Sequence, residues 1–212
     1  MPSMAQDARV RPGRLVKGML VDLLMAVMDS PTVWTAAAGS PDRGLAWRDA
    51  VTASMIRSAS YVSFEDLVAT AALALDLPSR ANDDLFDAWR DIRPWPDSRA
   101  IADLGLPYAF VTNTSTALAR IAAERSGLTP NAVITAEGVG WFKPHPRIYE
   151  AGCQALGVSP KDVLYVAGSA FDAIGARRFG LRTVFVGRRP DQVTNDPAIR
   201  TVGSMRDVAI DT

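Results

Sequence analysis

The chain is short of several things, and each shortage removes a class of function. Its 212 residues include one cysteine and one histidine. Cys153 cannot pair within the chain, and together with His145 it falls far short of the ligand cluster that a zinc site needs. Neither sign of charge is in excess, since Lys plus Arg and Asp plus Glu both total 23. Nucleic acid or an anionic membrane surface calls for a basic surplus, so neither is an expected partner, and an anionic ligand has to be met by a local site. No apolar run approaches the length of a membrane-spanning helix. One segment imitates a secretory signal, with Arg14 and Lys17 ahead of MLVDLLMAVM and then TAAAG. Asp22 lies inside its apolar part, and an ionised carboxylate there is costly to insert. A reducing cytoplasm is therefore the expected setting.

What the chain does have is a regular alternation. Residues 1 to 13 show no apolar periodicity and read as a loose tail. After them come short, nearly continuous apolar runs: LVKGMLVDLL, LPYAFVTN at 106–113, AVIT at 132–135, VLYVAGS at 163–169 and TVFVG at 183–187. Such runs fit strands covered on both faces. Helical stretches separate them. Thr116 to Ser126 stops at Gly127, Pro146 to Leu156 stops at Gly157, Ser159-Pro160 opens another, and Ala173 to Phe179 stops at Gly180. Strand and helix in turn predict an α/β fold, a Rossmann-like doubly wound parallel sheet. Between about Ser30 and Asp97 no strand signal survives. The apolar spacing Trp47, Val51, Met55 and again Phe64, Leu67, Ala71 predicts a helical insert. The expected layout is a core of 14–30 and 97–212 with a helical cap of 31–96 placed after the first strand, over the strand ends where open α/β sheets bind ligands.

Chemistry-bearing residues recur at those strand ends. Asp22 interrupts an apolar strand where it should stop, and a buried carboxylate has to be paired, hydrogen-bonded or functional. Alone it reads equally well as a turn cap. The second strand ends in Thr112-Asn113, suited to holding an anion, though a helix cap at Thr114 or Ser115 explains the same residues. Lys143 in WFKPHPRIY sits between an aromatic pair and Pro144; a lone lysine is ordinarily a solvated charge. The fourth strand ends in AGSAFD, which puts Asp172 in the first turn of a helix, where the dipole favours a carboxylate.

Taken in order, these elements resemble the haloacid dehalogenase superfamily: a strand-end Asp, a strand-end Ser/Thr-Asn, a Lys, and a strand-end acid. The similarity runs from about Leu15 to Arg189. The stretches WR at 47–48, FKPHPRIY at 142–149 and GSAFDAIGARRFG at 168–180 are similar to the L-2-haloacid dehalogenase branch. The resemblance implies Asp22 as nucleophile, Arg48 as the arginine for substrate and leaving group, and Thr112-Asn113 as a carboxylate clamp. It further implies Lys143 as the partner that keeps Asp22 ionised, Tyr149 as a pocket or support residue, and Asp172 as the carboxylate that orients Lys143 or water. Ser169 and Phe171 would join the substrate pocket, and a homodimer is left open.

Within that superfamily the chain is more similar to the dehalogenases than to the phosphatases. Phosphatases carry a second Asp two residues after the nucleophile, where this chain has Leu24. They also carry a magnesium-binding acid at the position of Gly168. A hard divalent ion needs several oxygen ligands, so no metal and no cofactor are expected. A halide needs no protonation to leave, so Leu24 is no handicap for displacement at a 2-substituted carboxylic acid through an aspartyl ester on Asp22. Departures from the dehalogenase pattern are Met25-Ala26 in place of Gly-Thr, and Ala167 and Ser169 in place of Ser and Asn. They keep two other readings open: a binding protein that has lost turnover, and a degenerate phosphatase.

Overall fold

The computed structural model describes residues 15–189 and 192–210. The expected loose tail at 1–13 lies outside them. The apolar runs become strands where periodicity placed them: β1 Gly18–Asp22, β2 Tyr108–Thr112, β3 Ala132–Thr135, β4 Val163–Ala167 and β5 Arg182–Val186. Every residue of β1, β2 and β4 is buried, as continuous apolar runs require. A sixth strand, β6 Arg200–Val202, adds to the edge. It has no apolar run, since of its three residues only Val202 is buried, and for that reason the sequence does not announce it. All pairings are parallel, in the order β3-β2-β1-β4-β5-β6. In the segment that imitates a secretory signal, Gly18–Asp22 form a strand inside this sheet, with β2 and β4 on either side.

The crossover helices are α6 Thr116–Arg125, α8 Pro146–Leu156 and α9 Ala170–Phe179. Gly157 and Gly180 end α8 and α9 in the left-handed conformation, which leaves no Cβ to clash as the chain turns back. The helix expected from Ser159-Pro160 is a single 3₁₀ turn, Pro160–Asp162, because β4 begins directly after it.

Between β1 and β2 the chain is helical: α1 Ser30–Ala38, α2 Pro41–Arg57, α3 Phe64–Ala74, α4 Ala81–Trp89 and the single turn α5 Ala100–Asp103. Ser40 and Ser63 cap α2 and α3 by accepting from the backbone N–H three residues on. Trp47, Val51 and Met55 are buried as their spacing predicts. On α3 Phe64 and Ala71 are buried as expected, but so are Val68 and Ala72 while Leu67 is only partly covered, so the buried face is turned toward Val68. The one extended contact here is a lone antiparallel bridge between Met28 and Pro94.

Candidate active site

The strand order reverses at β1: β2 and β3 lie on one side and β4 to β6 on the other. In such sheets a crevice opens at the carboxyl ends beside the switch point, and Asp22 is the last residue of β1. The chain then makes one π-helical turn, Leu23–Val27, closed by the Met28 N–H on the Leu23 carbonyl at 2.9 Å. That turn points two backbone donors back at the strand end. The N–H groups of Met25 and Ala26 reach Asp22 Oδ2 at 3.1 and 3.3 Å.

Lys143 supplies the countercharge. Its Nζ donates to Asp22 Oδ1 at 2.6 Å and to Asp172 Oδ2 at 2.7 Å, with the Val111 carbonyl and the Tyr165 hydroxyl both at 3.3 Å. Burial alone pushes the Lys143 ammonium toward neutrality, but the charges of Asp172 and Asp22 outweigh it and hold its pKa above the ordinary lysine value. The two carboxylates therefore favour the charged form of Lys143. Its backbone is fixed by Asn113, whose Oδ1 accepts from the Lys143 N–H at 2.6 Å and whose Nδ2 donates to the Lys143 carbonyl at 3.3 Å.

Asp172, in the first turn of α9, is completely buried. Burial pushes its carboxyl upward, and the Lys143 cation pulls against that shift. Both oxygens are occupied. Tyr149 donates to Oδ1 at 2.8 Å and Tyr165 to Oδ2 at 2.7 Å. Burial and the neighbouring carboxylate push both phenols well above their usual range, so each stays a neutral donor. The cluster thus holds two carboxylates around one ammonium.

Asp22 also borders a cavity of about 60 Å³, with Lys143, Thr112, Asn113, Ser169 and Phe171 on the sheet side. One water occupies roughly 10–15 Å³ on this measure, so the space takes a molecule of a few heavy atoms. Arg48, from the middle of α2, lines the opposite side, and Trp34, Val51, Met55 and Phe64 make that wall apolar. Arg48 is largely buried and touches Asp49 at 3.4 Å.

The structure therefore brings Asp22, Lys143, Arg48, Thr112, Asn113, Ser169 and Phe171 to one cavity. Two residues lie outside it. Tyr149 was expected as a pocket or a support residue; it does not line the cavity and its hydroxyl donates to Asp172. Asp172, expected to orient Lys143 or water, does not line the cavity either and is hydrogen-bonded to Lys143. Asn113 borders the cavity, but its side-chain amide is committed to the Lys143 backbone, and the hydroxyls of Thr112 and Thr114, 3.2 Å apart, belong to residues that border the cavity beside it. Tyr165 was missed. The available signal was a tyrosine in the middle of a strand buried on both faces, where its hydroxyl has to find a partner.

The residues present do not fit magnesium. The Lys143 ammonium fills the space between the two carboxylates, and a Cβ at Gly168 would stand 2.2 Å from the Ala26 backbone nitrogen, so no acid fits there without moving the turn that holds Asp22. Among the described residues no group of His, Cys, Asp and Glu converges as a metal site, and no helix is long and apolar enough to cross a membrane.

Comparison with known proteins bears on this geometry. The pattern of the haloacid dehalogenase-like hydrolases matches residues 27–180, well over half of the chain, beginning five residues after Asp22. An (S)-2-haloacid dehalogenase of Pseudomonas sp. (strain YL) is 33% identical over 140 residues, covering 60% of this chain and 60% of that protein. (S)-2-haloacid dehalogenase 2 of Pseudomonas sp. (strain CBS-3) is 28% identical over 208 residues, 84% of this chain and 91% of the other. In the first of these, as in several others, the chain matches less than two thirds of the relative's length. The solved L-2-haloacid dehalogenase of Xanthobacter autotrophicus with chloropropionic acid covalently bound shares the fold, with a TM-score of 0.77 and 23% identity over 91% of this chain and 96% of that one. The strand-end aspartate against a buried lysine, on a parallel sheet of this order, thus agrees with the family match: the chain belongs to the haloacid dehalogenase-like hydrolases.

Proposed function

We propose that this protein displaces a halide, or a comparable leaving group, from the 2-position of a small carboxylic acid, without a metal ion. The observation that carries the reading is the Asp22 carboxylate, bordering a cavity while the Lys143 ammonium sits 2.6 Å from it. A carboxylate oxygen attacks the carbon bearing the leaving group. The new C–O bond forms as the carbon–halogen bond breaks, giving an aspartyl ester and a free halide. Arg48 offers its planar fork to the substrate carboxylate or the departing anion, and the hydroxyls of Thr112 and Thr114 complete the anion's surroundings. Water then adds to the ester carbonyl carbon, which regenerates Asp22 and releases the 2-hydroxy acid, inverted at the carbon attacked. In this reading residues 31–96 act as the cap and 14–30 with 97–212 as the catalytic core.

A specific feature makes ester hydrolysis the slower half. Asp172 is fully engaged by Lys143, Tyr149 and Tyr165 and does not border the cavity, and Ala167 offers no hydroxyl, so at the end of β4 Ser169 is the residue that brings a polar side chain to the cavity. The ester should therefore accumulate. Rapid quenching of the protein with 2-chloropropionate, followed by mass spectrometry of the Asp22 peptide, should show the adduct forming in a burst ahead of steady halide release. Asp22→Asn should show neither. A native protein that releases halide with no mass gain on that peptide defeats the covalent path. Hydrolysis of p-nitrophenyl phosphate that requires magnesium would favour a phosphatase instead.

A further inference from the structure

The cluster behind Asp22 contains one group that the proposed chemistry leaves without a task. Tyr165, in the middle of β4, is fully buried, and its hydroxyl lies 2.7 Å from Asp172 Oδ2 and 3.3 Å from Lys143 Nζ. Asp172 Oδ2 is also the oxygen that Lys143 binds. Tyr149 differs: its hydroxyl donates to the other oxygen, Oδ1, and makes no contact with Lys143. Lys143 faces two carboxylates at nearly equal distances, 2.6 and 2.7 Å, so the division of its hydrogen bonds between them is finely balanced. The geometry points to Tyr165 as a positioning residue that keeps Lys143 turned toward Asp22. By donating to Asp172 Oδ2, its hydroxyl takes up part of the charge that would otherwise draw the ammonium away from the nucleophile, and its own oxygen gives the ammonium a further acceptor on the central side of the sheet. Ala167, two residues on and on the same face of β4, has no hydroxyl to share this work.

This inference rests on the proposed role of Asp22, and its test separates the two. The chain has three lysines, Lys17, Lys143 and Lys161, of which Lys143 is the buried one, so its ammonium can be followed by proton–nitrogen NMR without substrate. In Tyr165→Phe the Lys143 resonance should move and its protons should exchange with water severalfold faster. On 2-chloropropionate the rate of the burst in which the ester forms should fall about tenfold, because Asp22 acts as nucleophile in that half of the reaction. Tyr149→Phe should leave the Lys143 resonance in place and lower the burst rate by less than about threefold. An unmoved Lys143 resonance, or an unchanged burst rate in a variant of an active native protein, overturns the inference. If the resonance moves but the native protein releases no halide, the positioning role stands and the proposed reaction falls. Should Tyr165→Phe not fold, the native protein decides: a cross-relaxation peak between the Tyr165 hydroxyl proton and the Lys143 ammonium supports the inference, and its absence overturns it.

Discussion

Two ion clusters, one buried and one half-buried, grip the same short turn from opposite sides, and they are built differently. On one side the N–H groups of Met25 and Ala26 point at Asp22, which shares Lys143 with Asp172. On the other side the carbonyls of the turn are taken up: Met25 by the Trp95 indole at 3.1 Å, Ala26 by Arg188 at 2.9 Å and Val27 by the Trp95 N–H at 2.9 Å. Arg188 lies 5.1 Å from the Trp95 ring centre and forks onto Asp97 at 2.8 and 2.9 Å. Ser204 and the Met205 N–H complete the Asp97 carboxylate. Here one cation meets one anion. Around Lys143 one cation serves two anions, and one of these borders open space. A matched pair fastens the chain; a mismatched one beside a cavity leaves negative charge able to act on a ligand.

Removing the central cation should separate the two clusters most sharply. Lys143→Met leaves Asp22 and Asp172 buried without a countercharge, which should destabilise the protein by about 3–5 kcal/mol in urea titration and abolish halide release. Native-like stability in this variant would mean that the two carboxylates are not both charged.

Asp97→Asn tests the matched pair. Burial raises the Asp97 pKa, but the Arg188 fork, the Met205 N–H and the Ser204 hydroxyl bring it from 3.8 down to about 2. A carboxylate held below its unfolded value adds stability above that value and loses it as the pH falls through the folded one. Native protein should therefore exceed Asp97→Asn by about 2 kcal/mol at neutral pH. The gap should close between about pH 4 and pH 2, and urea midpoints across that range check it. A gap that persists at pH 2 would assign the effect to packing.

Smaller effects belong to the cavity wall. Arg48→Gln should lower kcat/KM for 2-chloropropionate about tenfold, mainly through KM, with little change in the urea midpoint, because the group is asked to bind an anion and not to hold the core. A chelator should change the native rate by less than about twofold, since the carboxylates are bridged by an ammonium and not placed to share a metal. A large loss on chelation would reverse the reading of Gly168.

Much of this arrangement is legible in the chain because it is local. An apolar run ending in Asp22, a Thr-Asn after the second run and a carboxylate in the first turn after the fourth all follow from period and position within one element. The helical insert is legible for the same reason, through Trp47, Val51 and Met55. What escapes is what depends on distant partners. Asn113 reads as an anion clamp until its amide is seen against the Lys143 backbone, thirty residues on. Tyr165 shows in sequence only that a buried hydroxyl needs a partner, and not that the partner is Asp172. Trp95, Asp97 and Arg188 carry no motif, yet they staple the turn that aims donors at Asp22. The rotated face of α3 and the short edge strand β6 are likewise set by what they pack against.

The sequence by itself determined a parallel α/β sheet with its chemistry at the strand ends, because burial on both faces writes continuous apolar runs and because a charge inside such a run has few physical excuses. Only the tertiary structure decided which oxygen meets which nitrogen. Those pairings join residues brought together by the crossing of strands, and a hydrogen bond is settled by tenths of an ångström that no local pattern records.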